Sequence, residues 1–152
     1  MPLDIRQAGP GSTIEVDSTN DTFLSRIHIH CGSNCRIAIG KITTINVGLN
    51  IYMADNCSLT IGDQFASNGW VNLFMHEPGA SIDIGRDCLF AISSFWTSDV
   101  HSVIDLATRE RINYARGIRL GDHVWVAEEA MILKGVTIGS GSVIGAKSVV
   151  TR

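Results

Sequence analysis

The chain has 152 residues, of which 45% are hydrophobic and 18% charged, which excludes a disordered segment and leaves enough length for one domain with a real core. A net charge of −3, without a long basic run, argues against nucleic acid as the main partner. No secretory leader is visible at Met1-Pro-Leu-Asp and no apolar run reaches membrane-span length, so a soluble cytoplasmic protein with no membrane span is expected.

Residues 1–22 are polar and read as an irregular N-terminal cap, with Ile14-Glu15-Val16 as a short strand closing one end of the core. From Arg26 an alternating apolar pair followed by glycine recurs. It reads Ile37-Ala38-Ile39-Gly40, Leu59-Thr60-Ile61-Gly62, Ile82-Asp83-Ile84-Gly85, Ile118-Arg119-Leu120-Gly121 and Val136-Thr137-Ile138-Gly139, at spacings of 22, 23, 36 and 18. Ile27-His28-Ile29-His30 reads as an earlier member, with both histidines turned outward into solvent. A spacing of 18 is one coil of three hexads, and 36 is one coil plus a long excursion at residues 99–117. That excursion is charged and breaks the register, and long loops on rigid scaffolds carry function disproportionately often.

The hexads are clearest at the end. Leu120, Val126, Ile132, Ile138, Ile144 and Val150 are six apart, and Val124, Ala130, Val136, Ser142 and Ser148 take the fifth positions with small or compact side chains. A period of six fits neither a helix nor a lone strand, but it fits an all-β parallel β-helix in which each hexad is one strand plus a corner. The whole chain, 1–152, reads as a single domain of this kind. Cys31, Cys35, Cys57 and Cys88 fall at or beside core positions and read as free fillers of a narrow interior, without the Cys-x-x-Cys spacing that zinc favours.

Two runs of residues carry a family resemblance. One is Asp99-Val100-His101-Ser102, Arg111-Ile112-Asn113 and Ile118 to Val126; the other is Ile132 to Gly139 followed by Ile144 to Arg152. Together they resemble the hexapeptide-repeat acyltransferases that use acetyl-CoA, and among these the sugar O-acetyltransferases of polysaccharide, capsule and lipopolysaccharide assembly. The resemblance implies a left-handed β-helix, against the usual right-handed crossover rule. It also implies a homotrimer, with acetyl-CoA lying between neighbouring prisms and each site drawing on two subunits. Where the family commonly reads Trp-Ile-Gly-x-Gly-Ala, this chain has Trp125-Val126-Ala127-Glu128-Glu129-Ala130. The usual C-terminal segment of the family is absent from residues 1–152.

Acetyl transfer to a sugar hydroxyl needs a base, an oxyanion donor and a held thioester. His101 aligns with the family's catalytic histidine, and imidazole suits the base because its ordinary pKa lies near working pH. Asp99, Glu77 and Asp105 are the carboxylates placed to orient it. For the acceptor, the candidates are Asn72, Asp105 and Arg111. The family pattern maps acetyl-CoA contacts onto Trp125, Glu128, Ala146, Thr151 and Arg152, with backbone groups at 128 and 146 facing the pantetheine amides and Arg152 facing a phosphate. Lys134 and Lys147 read as solvated corners. No metal is expected: a zinc site at His76, His101 and His123 is the weaker reading, because the two histidines five apart of β-helical zinc enzymes are missing. The same pattern also fits an N-acetyltransferase acting on an amino sugar, or a non-catalytic β-helix scaffold.

Overall fold

Short strands separated by tight corners leave no room for a conventional sheet sandwich, so the chain winds. A computed structural model describes residues 4–152; the first three residues of the expected N-terminal cap lie outside the described residues. Eighteen strands follow in chain order: β1 (Asp4–Ala8), β2 (Thr13–Val16), β3 (Ile27–Cys31), β4 (Arg36–Ile39), β5 (Ile42–Ile45), β6 (Gly48–Met53), β7 (Ser58–Ile61), β8 (Phe65–Ser67), β9 (Trp70–Met75), β10 (Ser81–Ile84), β11 (Leu89–Phe90), β12 (Ser93–Trp96), β13 (Ile118–Leu120), β14 (Trp125–Val126), β15 (Ala130–Leu133), β16 (Thr137–Ile138), β17 (Val143–Ile144) and β18 (Val149–Val150). They form three parallel sheets, the faces of a triangular prism: A (β1-β3-β6-β9-β12-β15-β18), B (β2-β4-β7-β10-β13-β16) and C (β5-β8-β11-β14-β17). The architecture is the expected left-handed parallel β-helix.

The apolar-x-apolar-Gly units stack in register on sheet B, where Val16, Ile39, Ile61, Ile84, Leu120 and Ile138 form one inward row. The hexad positions Leu120, Val126, Ile132 and Ile138 and the compact Val124, Ala130 and Val136 are buried; Ile144 and Val150, on the last coils, are half-buried. The four cysteines are buried and free, as read from the sequence. Phe65, Phe90 and Phe95 are fully buried in the prism, with Phe90 edge-on to Phe65 and stacked on Phe95, each at 5.2 Å between centroids.

Corners turn through residues with positive φ, and these also stack. Gln64 (63°), Asp87 (56°), His123 (55°) and Gly141 (75°) form one column between sheets B and C; Gly11, Asn34, Asn56 and Gly79 form another between A and B. Each backbone N–H of the first column donates to a carbonyl one coil away, at 2.6–3.0 Å.

Two expectations change. Residues 4–8, read as part of an irregular cap, form β1, whose backbone pairs with β3 in parallel. Ile27-His28-Ile29-His30 is not the earlier member of the sheet B series; it is β3 of sheet A, and the earlier member is Ile14-Glu15-Val16 in β2. Alternation fixes which residues face inward but does not say which face of the prism a strand occupies. His28 and His30 do turn outward, yet they are engaged: His28 Nδ1 lies 2.7 Å from Asp4 Oδ2, and His30 stacks on Tyr52 at 4.7 Å. Outward rings in the same row continue through Phe74 and Trp96.

Truncating Phe90 to alanine removes a fully buried ring between two others and is expected to cost about 3–5 kcal/mol. Leu89→Ala, at an outward position 42% exposed, should cost well under about 1 kcal/mol. Urea denaturation of both variants checks the inward–outward assignment.

Candidate functional site

The interruption of the prism lies between β12 and β13, where the chain leaves sheet A after Trp96 and rejoins sheet B at Ile118, in agreement with the excursion expected at 99–117. It folds back on itself as a short antiparallel arm. Ile104 bridges Arg111, Ile112 N–H donates to Val103 O at 2.9 Å and Asp105 N–H donates to Glu110 O at 2.9 Å. Asp105, a candidate for orienting the base and for the acceptor, closes the arm's tip: its Oδ1 accepts from the N–H groups of Ala107 (2.8 Å) and Thr108 (2.9 Å). Such a capping role is local to the turn.

Two ion pairs fasten the arm to the prism. Arg111 Nη2 donates to Glu77 Oε1, on the coil before, and both side chains are largely buried. Lys134 Nζ donates to Asp99 Oδ2, on the coil after. Hydrogen bonding from Arg111, then its charge, holds the Glu77 carboxyl below its ordinary value; Lys134 and then Asn113 do the same for Asp99. Arg111, a candidate acceptor ligand, therefore has its guanidinium occupied by Glu77 and by the Asn113 side chain and carbonyl. Lys134 is no free solvated corner. Trp96 pairs in register with Leu133, so Lys134 sits one coil beyond the point where the arm departs. Counting that register through the excursion was the signal that would have found it.

His101 is exposed on the arm beside this anchor. Its imidazole makes no hydrogen bond among the described residues; Asp99, Glu77 and Asp105 bond to other groups. What is fixed is its backbone: His101 N–H donates to Asp99 O at 2.7 Å, and its carbonyl accepts from Asn113 Nδ2 at 2.7 Å. A cleft of about 430 Å³ opens between arm and prism; His101 does not line it, but Asp99 and the Asn113 that holds the His101 carbonyl do. Asp99, Asn113 and Lys134 line it with the apolar Ile112 and Leu133, and Arg116, Thr151 and Arg152 complete its basic side.

The remaining candidates lie elsewhere on the prism. Asn72 points outward from the middle of β9 and accepts from Asn50 Nδ2 at 2.8 Å. Trp125 projects from sheet C, 48% exposed, in register with Leu89 and Val143. Glu128 and Ala146 are exposed at the corner between C and A. There Glu129 (φ 58°) and Lys147 (φ 59°) take left-handed conformations that glycine adopts more cheaply, and they pair side chain to side chain at 3.2 Å. The Glu128 carbonyl accepts from Lys147 N–H at 2.8 Å, whereas Glu128 N–H and both backbone groups of Ala146 make no hydrogen bond among the described residues. These free amide groups at an exposed corner are available to the amides of a ligand. The mapped acetyl-CoA residues thus divide: Thr151 and Arg152 lie with Asp99 in the cleft, while Trp125, Glu128 and Ala146 lie across sheet A from it.

The three histidines of the zinc reading, His76, His101 and His123, are not brought together. His76 is packed between the Tyr52, Phe74 and Trp96 rings, His123 pairs with Asp87 at 3.0 Å on another corner, and no cluster of three potential ligands occurs among the described residues.

Residues 117–152 match the family described as bacterial transferase hexapeptide (six repeats). Over 55 residues the chain is 38% identical to the polysialic acid O-acetyltransferase of Neisseria meningitidis, a match that covers 36% of this chain and 26% of that relative. The fold superposes on the crystal structure of the polySia-specific acetyltransferase NeuO with a TM-score of 0.70 at 30% identity, covering 83% of this chain and 57% of that one. The polysialic acid O-acetyltransferase OatWY shares the fold at a TM-score of 0.64 and 22% identity, covering 99% of this chain and 80% of that one. The chain thus spans about a quarter of the length of the N. meningitidis relative. No helix among the described residues is long and apolar enough to cross a membrane.

The depressed carboxyls give the anchor a pH dependence of definite sign. A folded-state value below the unfolded one stabilises the docked arm above the ordinary range, about 4–4.5, and that contribution is lost as pH falls through the depressed values. Amide exchange of residues 103–112, corrected for intrinsic rates, should show constant protection from about pH 8 to 5 and loss of protection below about pH 4. Glu77→Gln should lose much of it already at neutral pH.

Proposed function

We propose that this chain is an acyltransferase of the hexapeptide-repeat β-helix type, an acetyl-CoA-dependent O-acetyltransferase acting on a sugar hydroxyl of a cell-surface polysaccharide or its precursor. The observation that carries the reading is the exposed His101, held by its backbone on an arm that two ion pairs dock beside a basic cleft. The polysialic acid O-acetyltransferase of N. meningitidis and the polySia-specific acetyltransferase NeuO support the reaction class and the acceptor class.

In this reading His101 takes the proton of the acceptor hydroxyl as that oxygen attacks the thioester carbonyl. A backbone N–H in the groove carries the developing oxyanion, a contribution of about 3–4 kcal/mol in comparable sites. When the C–S bond breaks, His101 returns the proton to the departing thiolate. Transfer is direct, with no acyl-enzyme. Asp99 and Glu77 act as anchors of the arm that bears the base, through Lys134 and Arg111. The basic side of the cleft, with Arg116 and Arg152, suits a phosphate of acetyl-CoA.

The division of the candidate residues between two edges of the prism favours a homotrimer. His101 stands at the edge between sheets A and B; Trp125, Glu128 and Ala146 stand on C and at the edge between C and A. A neighbouring copy brings one edge to the other, so that each site takes its base from one subunit and its pantetheine contacts from the next. Four buried free thiols suit a reducing compartment, in keeping with a cytoplasmic protein.

His101→Ala should lower acetyl transfer to an oligosaccharide acceptor by about 10²–10⁴-fold while acetyl-CoA binding by calorimetry is retained; transfer at the wild-type rate would contradict the reading. Intersubunit composition has its own test. Ala146→Trp, on an exposed corner, blocks the groove without touching the core. Refolded as an equal mixture, His101→Ala and Ala146→Trp chains should recover about a quarter of wild-type turnover, the random fraction of sites drawing each part from an intact parent. No recovery would mean that both parts act within one chain.

A further inference from the structure

Val100, immediately before His101, has φ 66° although its side chain is β-branched. With His101 N–H donating to Asp99 O at 2.7 Å, residues 99–101 close a γ-turn of the strained, positive-φ kind. Packing does not hold this conformation, because Val100 is 47% exposed. Strained backbone persists only where its surroundings over-determine it, so another group must fix the turn.

Asn113 meets that need. Its Nδ2 donates to Asp99 Oδ2 at 2.8 Å and to His101 O at 2.7 Å, one partner on each side of the turn. Its Oδ1 accepts from Val103 N–H at 2.7 Å and from Arg111 Nε at 3.2 Å. Two donors and two acceptors use the whole capacity of the amide, and the reversed amide would face N–H groups with N–H groups. Ile112 and Asn113 come from the returning strand of the arm, so this one side chain ties the outgoing turn to the return and, through Arg111 and Asp99, to both ion pairs.

We infer that Asn113 is a positioning residue for His101: it clamps the strained 99–101 turn and so sets the point from which the imidazole reaches the acceptor. The catalytic half of this inference rests on the acetyltransferase reading; the clamp itself does not.

The test compares Asn113→Ala and Asn113→Asp with wild type in three measurements: kcat at saturating acetyl-CoA, the acetyl-CoA dissociation constant, and amide exchange at residues 100–103. Aspartate keeps the acceptor for Val103 and Arg111 but sets a carboxylate against Asp99 and the His101 carbonyl. Displacing the base by about 1 Å lowers kcat by about 10²-fold. That loss is expected in both variants, with acetyl-CoA affinity and thermal midpoint close to wild type. Exchange at Val103 should accelerate in Asn113→Ala and much less in Asn113→Asp. A kcat within about threefold of wild type in Asn113→Ala, or a fall in kcat matched by an equal loss of acetyl-CoA affinity, overturns the positioning role. If wild type itself transfers no acetyl group, the acetyltransferase reading fails separately, and the exchange rates still decide the clamp: unchanged exchange at residues 100–103 in Asn113→Ala would remove it.

Discussion

The inward row that runs from Val16 through Ile39, Ile61, Ile84 and Leu120 to Ile138 is the constraint on which the rest of the structure depends. Each coil can bury its apolar residues only against the coil above and below, so register is enforced at every turn: a slip of one residue would send the row to the outside. This is why the corners are stacked as well. Once the rows are aligned, left-handed residues such as Asp87 and His123 arrive one above the other, and each donates its N–H to a carbonyl of the preceding coil, His123 to Arg86 O and Asp87 to Asp63 O.

A prism held this way tolerates a long interruption because the rows on either side remain joined. Asp83 pairs with Arg119 and Ile84 with Leu120 as though the intervening residues were absent. The interruption can then be fastened at fixed points. Glu77 and Lys134 occupy coils before and after the departure, and their partners Arg111 and Asp99 belong to the arm. The arm has few buried apolar contacts of its own, with Leu106, Ile112 and Tyr114 exposed, so polar interactions determine its position. That choice has a chemical consequence: the geometry around His101 is set by the charged and amide groups of Asp99, Lys134 and Asn113 and not by a packed apolar face.

The fold was legible because a period of six leaves a mark on the amino-acid sequence itself, and the excursion was legible as a break in that period. Its two ends, near 99 and 117, agree with the departure after Trp96 and the return at Ile118. The face occupied by β3 was not legible, since Ile27-His28-Ile29 alternates in the same way whichever sheet it joins. His101 stood out by residue type and by resemblance, whereas Lys134 did not, because a corner lysine looks alike whether it is solvated or paired. The roles of Arg111 and Asn113 were hidden for another reason. Arg111 reads from its residue type as a ligand for a saccharide, but the hydrogen bonds of both are spent within the arm and on Glu77, which only the folded arrangement reveals.

In the proposed reading, the division of the candidate residues between two edges of the prism makes the arrangement of subunits part of the chemistry. A crystal structure of the protein with coenzyme A addresses this most directly. The account predicts the thiol within hydrogen-bond reach of His101 of one copy, with the pantetheine amides on the Glu128 and Ala146 backbone of its neighbour. Coenzyme A lying wholly against a single chain, or with its thiol remote from His101, would contradict it.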